Sequence, residues 1–333
     1  MSRPIEPLGR HKLEIDTPAL LLDMDLMERN LKRMADFCRS AGCNLRPHIK
    51  THKAPELARR QVAEGAIGIA CQKLEEAEVF VEHGLDNILI TYQVVTPEKI
   101  RRLIELSKRA MVIVCADDAK NIKDLSEAAM AEGVELNVLV ELNVGHNRCG
   151  VEPGEPGLEL TQKVLSSPGL NFRGLMGYMG PIMFEVDREK REAGAREATG
   201  MLVETRKLLE KKGIEVEICS AGGTGTYDID ASFPGVSEIQ PGSYLTMDAR
   251  YKNIVPEFGN ALSILTTVVS RPAKERAILD TGLKSTTPDF LWFGFPIFKE
   301  ESRGIEFKSL NEEHCILGLT DPVPDLKLGD KVE

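Results

Sequence analysis

The chain has 333 residues, 42% of them hydrophobic, which suffices for a substantial core and for one large α/β domain or two smaller ones. Its formal net charge of -10 excludes a general nucleic-acid or anionic-membrane binder, because both need a basic face. Residues 1–10 carry no apolar signal-type segment, no apolar run approaches a membrane span, and the seven cysteines stand singly, so the expectation is a soluble cytoplasmic protein with reduced thiols.

Residues 1–16 are polar and read as irregular, after which Thr17-Pro18 introduces the apolar run Ala19–Leu22. Asp25 is placed to cap a helix running to about Ser40, with Leu26, Leu31, Met34 and Phe37 along one face. A regular alternation follows. Strand-like runs fall at Leu45–Ile49, Ile67–Cys71, Asn87–Thr91, Met111–Cys115, Leu136–Leu142, Phe172–Tyr178, Val216–Cys219 and Glu238–Gln240. Helical patterns separate most of them, at 54–64, 73–83, 97–109, 118–132, 155–167 and 187–212, with 224–237 less clearly helical. Strands alternating with helices of this length mean parallel βαβ units, and eight strands is the number that closes a (β/α)8 barrel. After about residue 255 the texture changes to short β-branched runs, Ala261–Val269, Ala277–Leu279, Ile305–Phe307 and Cys315–Leu319, which predict a second, β-rich domain. Leu328–Glu333 reads as a turn feeding a further strand.

Lys50 sits between an extended run and a helix whose first turn holds Pro55, so it falls where the first barrel strand stops. A lysine there is either a solvated loop charge or an amine held for chemistry. Its neighbours His48, His52 and Lys53 favour the second, since nearby positive charge lowers a lysine pKa towards the nucleophilic amine. In a barrel, chemistry collects at the C-terminal ends of strands. The residues there are Lys50, Gln72, Tyr92-Gln93, Asp117-Asp118, the run Asn143–Arg148, and Tyr178. The seventh and eighth strands run into Gly222–Thr226 and Gln240–Tyr244, two glycine-rich turns where barrels commonly bind phosphate. No Gly-Lys-Ser/Thr follows, so this is not a nucleotide P-loop. A lysine facing a phosphate cradle fits pyridoxal 5'-phosphate held as a Schiff base, and an aldolase joining a sugar phosphate to its lysine would use similar parts.

Seven pieces together carry a resemblance over nearly the whole chain. They are Arg46–Lys53, Cys71-Gln72-Lys73, Gly145–Val151, Gly222–Tyr227, Gln240–Tyr244, Asp280–Thr287 and Glu312-Glu313-His314. The chain resembles the D-threonine aldolase and D-serine dehydratase group of fold-type III pyridoxal-phosphate enzymes, with an alanine racemase-like barrel. The resemblance implies a barrel of residues 25–254 and a β-rich domain of 1–24 with 255–333, in which residues 17–24 pair with the later strands. It also implies that Lys50 carries the cofactor, Arg148 lies beside the ring hydroxyl, and Gln72, Tyr178 and Tyr251 line the ring and substrate. Gly223, Thr224, Gly242 and Ser243 are implied to hold the phosphate, and a homodimer to complete the site.

Two features depart from the group. A His-x-Asp or His-x-Cys pair that binds a divalent metal follows the stretch matching Gly329–Glu333 in its members, and is absent from these 333 residues. His314 is a poor substitute, because no spaced partner follows it. Met179-Gly180-Pro181 stands where relatives often carry polar residues, which implies a drier pocket. The implied activity is a lyase cleaving D-3-hydroxy amino acids to glycine and an aldehyde, with Lys50, Arg148 and Tyr178 as catalytic residues. The alternatives are a D-serine or 3-hydroxyaspartate-type dehydratase, and a cofactor-binding protein of low activity that lacks the metal.

Overall fold

The computed structural model describes residues 9–286, 296–299, 303–320 and 325–333. Residues 1–8 of the irregular N-terminal stretch, and Thr287 at the end of one motif, lie outside the described residues. Within them the chain divides into two compact units. One comprises Glu28–Thr246 and Tyr251–Gly259, and the other gathers the described residues of Met1–Met27, Met247–Arg250 and Asn260–Glu333.

The chain enters through strand β1 (Ala19–Leu22) and helix α1 (Met24–Ala41). The cap of α1 is Asp23, not the expected Asp25: its carboxylate accepts from Leu26 N–H at 3.0 Å and its carbonyl from Met27 N–H at 3.0 Å. Eight parallel strands follow: β2 (Asn44–Leu45), β3 (Ile69–Cys71), β4 (Asn87–Gln93), β5 (Met111–Ala116), β6 (Leu136–Leu142), β7 (Leu170–Gly177), β8 (Ile218–Ala221) and β9 (Glu238–Ile239). Their order in the sheet, β2-β9-β8-β7-β6-β5-β4-β3, is the chain order of a barrel. The two ends meet through Ile67 N–H on Leu45 O and Ala70 N–H on Pro47 O, each 2.9 Å, and through a parallel bridge between His48 and Ala70.

The connecting helices are α2 (Pro55–Ala63), α3 (Leu74–Glu82), α4 (Pro97–Ser107), α5 (Ala119–Ala131), α6 (Glu155–Leu165) and α7 (Arg188–Lys211). Proline opens α2 and α4, where a missing N–H costs nothing, while Asp118 and Asp187 cap α5 and α7 with their carboxylates. Period-two alternation divides the strand residues. Ala70, Leu89, Ile113, Cys115, Leu139, Met176 and Ile218 form one cluster, while Ile69, Cys71, Ile88, Ile90, Val112, Val114, Val138 and Val140 pack in the larger core with the helices. The last connection is a 3-10 turn, Thr224–Thr226, running into the four-residue helix α8 (Tyr227–Asp230).

The first barrel strand is shorter than the sequence suggests. Pro47 has no N–H to donate, so the regular strand ends at Leu45, although Arg46 and His48 still donate to Ile239 O and Pro241 O at 3.0 and 3.1 Å. Lys50 therefore lies in a 3-10 turn, Ile49–Thr51, and not at the end of a strand.

The second unit is antiparallel. Its strands β10 (Leu262–Ala273), β11 (Arg276–Leu279), β12 (Ile305–Leu310) and β13 (Cys315–Leu319) join β1 in the order β1-β10-β11-β13-β12, with β14 (Lys331–Val332) also on β10. β1 pairs with β10 in the register Ala19↔Leu265 to Leu22↔Leu262. Val268, Ala277, Leu279, Cys315, Leu317 and Leu319 form its core. Asp280 accepts from Thr266 Oγ1 at 2.7 Å and Thr267 N–H at 2.8 Å, which gives the Asp280 motif a structural task within this unit. No helix among the described residues is long and apolar enough to cross a membrane.

Candidate active site

A cavity with about 510 Å³ of empty space, part of it open to solvent, gathers residues from most of the strand ends the sequence singled out in the barrel, but not Tyr92-Gln93 or Asp117-Asp118. Lys50, Gln72, Arg148, Tyr178, Gly223, Thr224, Gly242, Ser243 and Tyr251 all line it. His48, Thr51, Thr91, Met176, Gly222 and Gln240 complete the lining.

Lys50 is set from behind by His48. The His48 Nδ1 accepts from Lys50 N–H at 3.3 Å, and its Nε2 meets Thr91 Oγ1 at 3.1 Å. Thr91 Oγ1 in turn donates to Cys71 O at 3.1 Å, so it is an acceptor towards His48 and the imidazole carries its proton on Nε2. Burial, then the charge of Lys50, hold the His48 pKa well below the ordinary imidazole value. His52 caps the same turn, accepting from Ala54 N–H at 3.0 Å, and burial lowers its pKa to about 4.

Both histidines are thus neutral, which corrects the expectation that they help to depress Lys50. The Lys50 amine reaches solvent through the cavity but is surrounded by protein on its other sides. That loss of water lowers its pKa, the charge of Arg148 adds to the effect, and Glu76 opposes it. Lys53 contributes nothing here, because it turns outward to pair with Glu76 at 2.9 Å.

Tyr178 lies just beyond β7, and its ring is a shared platform. Lys50 Nζ stands 5.4 Å from the ring centroid and the Arg148 guanidinium carbon 5.8 Å from it. Burial raises the phenol pKa against the opposing charge of Arg148, so Tyr178 keeps its proton at neutral pH. The Arg148 loop is pinned at both ends. Asn143 Oδ1 accepts from Asn147 N–H at 2.9 Å, and Gly150 donates to Asp117 Oδ2 at 2.9 Å. Gly150 has φ +99°, and a Cβ there would meet Leu142 C at 2.5 Å, so only glycine makes this turn. Glu141, which strand-end reading passed over, is a buried carboxyl below this loop. Burial raises its pKa to about 7, against the donation from Gln93.

The glycine turns form a cradle of donors. Among the described residues, the backbone N–H groups of Gly223, Thr224, Gly242 and Ser243 take no part in the loop hydrogen bonds. Thr224 Oγ1 accepts from Tyr244 N–H at 3.0 Å, which leaves its own proton to donate. A Cβ on Gly242 would stand 2.6 Å from His48 O, so bare backbone is required where this turn meets the Lys50 turn. Thr51 Oγ1 is buried and has no partner. It follows Lys50 within a motif already singled out, so its position was the available signal. The site therefore combines an amine of lowered pKa with a set of donors suited to an anion.

The model of the alanine racemase N-terminal domain matches residues 22–250, and that of the putative serine dehydratase domain matches 261–333. The chain is 40% identical to the D-threonine aldolase of Arthrobacter sp over 95% of its own length and 82% of the relative's. It is 37% identical to the 3-hydroxy-D-aspartate aldolase of Paracoccus denitrificans over 97% of this chain and 85% of that one. The crystal structure of D-threonine aldolase from Filomicrobium marinum superposes with a TM-score of 0.92 at 41% identity, covering 96% of this chain and 86% of the other. Barrel, antiparallel unit and sequence agree, and the chain belongs to the D-threonine aldolase and D-serine dehydratase-like family, with its alanine racemase-type fold.

Proposed function

We propose that this protein is a pyridoxal-phosphate-dependent carbon–carbon lyase that cleaves D-3-hydroxy amino acids, such as D-threonine, to glycine and an aldehyde. The observation that carries the reading is the opening of the Lys50 amine, its pKa lowered, into the same cavity as the glycine and hydroxyl cradle. The orphaned Thr51 hydroxyl and the close approach at Gly242 support a phosphate as the missing partner. Two relatives matched over most of their length, a D-threonine aldolase and a 3-hydroxy-D-aspartate aldolase, support the reaction class.

Pyridoxal phosphate, when bound, supplies an aldehyde that condenses with amines and a conjugated ring that accepts the electrons of a breaking bond. The chain's own residues do the rest. Lys50 provides an amine whose pKa is lowered by loss of water and by Arg148, for exchange with the substrate amine. His48 fixes the Lys50 turn without competing for a proton. Arg148 and Tyr178 bound the mouth above the amine, and Thr51, Thr224, Ser243 and the glycine N–H groups hold the phosphate end. The residues present do not fit the divalent metal of the resemblance. Among the described residues no group of three or more His, Cys, Asp or Glu side chains is arranged to hold one.

The test is product analysis on purified protein with added cofactor. D-Threonine is expected to give glycine and acetaldehyde. A keto acid without glycine would place the chain with the dehydratases. The reading also expects a strong preference for the D substrate, because Lys50, in the turn after β2, and Tyr178, just beyond β7, come from separate segments and make the mouth asymmetric. Turnover of L-threonine at a comparable rate contradicts it.

The cradle makes its own prediction. Ser243→Ala removes one hydroxyl donor to a charged group, a bond worth about 1.5–3 kcal/mol, and cofactor affinity is expected to fall about ten-fold or more. Thr224→Ala is expected to cost the same and to lower stability too, because it strands the buried Tyr244 N–H. Fluorescence titration reads the affinity, and no change in either variant means that the glycine turns are only turns. The same reading includes a homodimer, checked by light scattering, and a reducing cytoplasmic setting, supported by seven free cysteines of which six are buried.

A further inference from the structure

Breaking the Cα–Cβ bond of a 3-hydroxy amino acid requires a base for the hydroxyl proton, and among the described residues the cavity lining contains no aspartate or glutamate. Three of its other titratable groups are committed. His48 has both ring nitrogens occupied, Lys50 is assigned to the cofactor, and Tyr178 keeps its own proton.

His146 stands beside this lining, on the Arg148 loop. Its ring packs against Tyr178 with centroids 5.7 Å apart and a tilt of 57°, so it shares the phenol with Lys50 and Arg148. Its Nδ1 is buried and makes no hydrogen bond of ordinary geometry. Loss of water, then the charges of Arg148 and Lys50, lower its pKa despite an opposing interaction with the Tyr178 backbone, so the imidazole is neutral near pH 7. Gly180 makes room for it: a Cβ there would lie 2.8 Å from His146 Cε1. The unusual Met179-Gly180-Pro181 segment thereby gains a task.

We propose that His146 is the base that takes the 3-hydroxyl proton of the substrate. The inference rests on the lyase reading. The hydroxyl proton passes to the imidazole, the Cβ–O bond becomes the aldehyde carbonyl, and the Cα–Cβ bond breaks. Its electron pair stays with the glycyl carbon, for which pyridoxal phosphate, when bound, would supply the electron sink, and that carbon takes up one proton, balancing the one given to His146, to leave as glycine.

The test uses the cofactor-loaded protein and the variants His146→Asn and Gly180→Ala. His146→Asn is expected to lower kcat by about 10²–10⁴-fold, the usual worth of a general base, with little change in KM. Binding of pyridoxal phosphate and the spectral response to glycine, which has no hydroxyl, are expected to stay as in the parent. The acidic limb of the kcat–pH profile is expected to disappear. Gly180→Ala keeps the imidazole but displaces it, and is expected to lose turnover in the same direction by less. Independently of turnover, the ¹⁵N resonances of the His146 ring are expected to shift on adding D-threonine and not on adding D-alanine. Parent-like turnover in His146→Asn, or a ring signal indifferent to the 3-hydroxyl, overturns the inference and leaves the lyase reading intact. Failure of the parent protein to attach pyridoxal phosphate overturns both.

Discussion

Replacing Lys50 by alanine is expected to abolish the borohydride-fixed adduct with pyridoxal phosphate and to lower turnover by on the order of 10⁴-fold or more, as removal of a covalent catalytic group does. The competing lysines are poorly placed. Lys53 pairs with Glu76 at 2.9 Å, and Lys284, whose side chain is 67% exposed, pairs with Glu313 at 3.0 Å. Attachment requires the neutral amine, so its rate is expected to rise with pH and to do so below the range of a free lysine, because the Lys50 pKa is lowered. Arg148→Gln removes one of the charges responsible, so the Lys50 pKa moves up and attachment at neutral pH slows. Mass spectrometry of the reduced, digested protein locates the adduct. An adduct that survives Lys50→Ala and maps to Lys53 or Lys284 ends the assignment.

Replacing Glu238 by alanine is expected to destabilise the barrel by about 3–5 kcal/mol, the cost of leaving a buried charge unpaired. Arg46 and Glu238 are 2% and 1% exposed, and Arg46 Nε donates to both carboxylate oxygens, at 2.9 and 3.0 Å. Arg46 also donates to Asn87 Oδ1 at 2.8 Å, and Ser220 Oγ donates to Glu238 at 2.8 Å. The pair therefore links β4, β8 and β9 to the end of the first barrel strand, β2. It also reaches the cavity, since Gln240 Nε2 donates to Ser220 Oγ at 2.7 Å. The double variant Arg46→Met with Glu238→Leu removes both charges and is expected to cost clearly less than either single loss. Urea unfolding compares the three. A loss below about 1 kcal/mol for Glu238→Ala would mean that water reaches the pair and compensates it.

Most of the architecture was legible from residue patterns. Met111–Ala116 is a continuous apolar run buried after its first residue, Leu136–Leu142 is apolar but for Asn137 and Glu141, and the helices between such runs carry their own start signals in Pro55, Pro97, Asp118 and Asp187. Element ends were less so. Asp23 and Asp25 are equally good caps by type, and only the backbone path decides which one meets the orphan N–H groups. Lys50 was located in the chain correctly but given the wrong local conformation, because the effect of Pro47 depends on which neighbour the strand pairs with.

The sequence by itself determined that this is an alternating α/β chain followed by a β-rich region, that a lysine and two glycine turns follow barrel strands, and which family motif they belong to. These are local properties, written in periodicity, caps and short runs. The tertiary structure decided the protonation of the groups. Whether His48 and His52 are charged, how far the Lys50 pKa is lowered, and whether Arg46 is solvated or paired with Glu238, 192 residues away in sequence, all depend on what the folded chain packs around them. Removal of water and the placement of distant charges set those states, and neither is encoded by spacing along the chain.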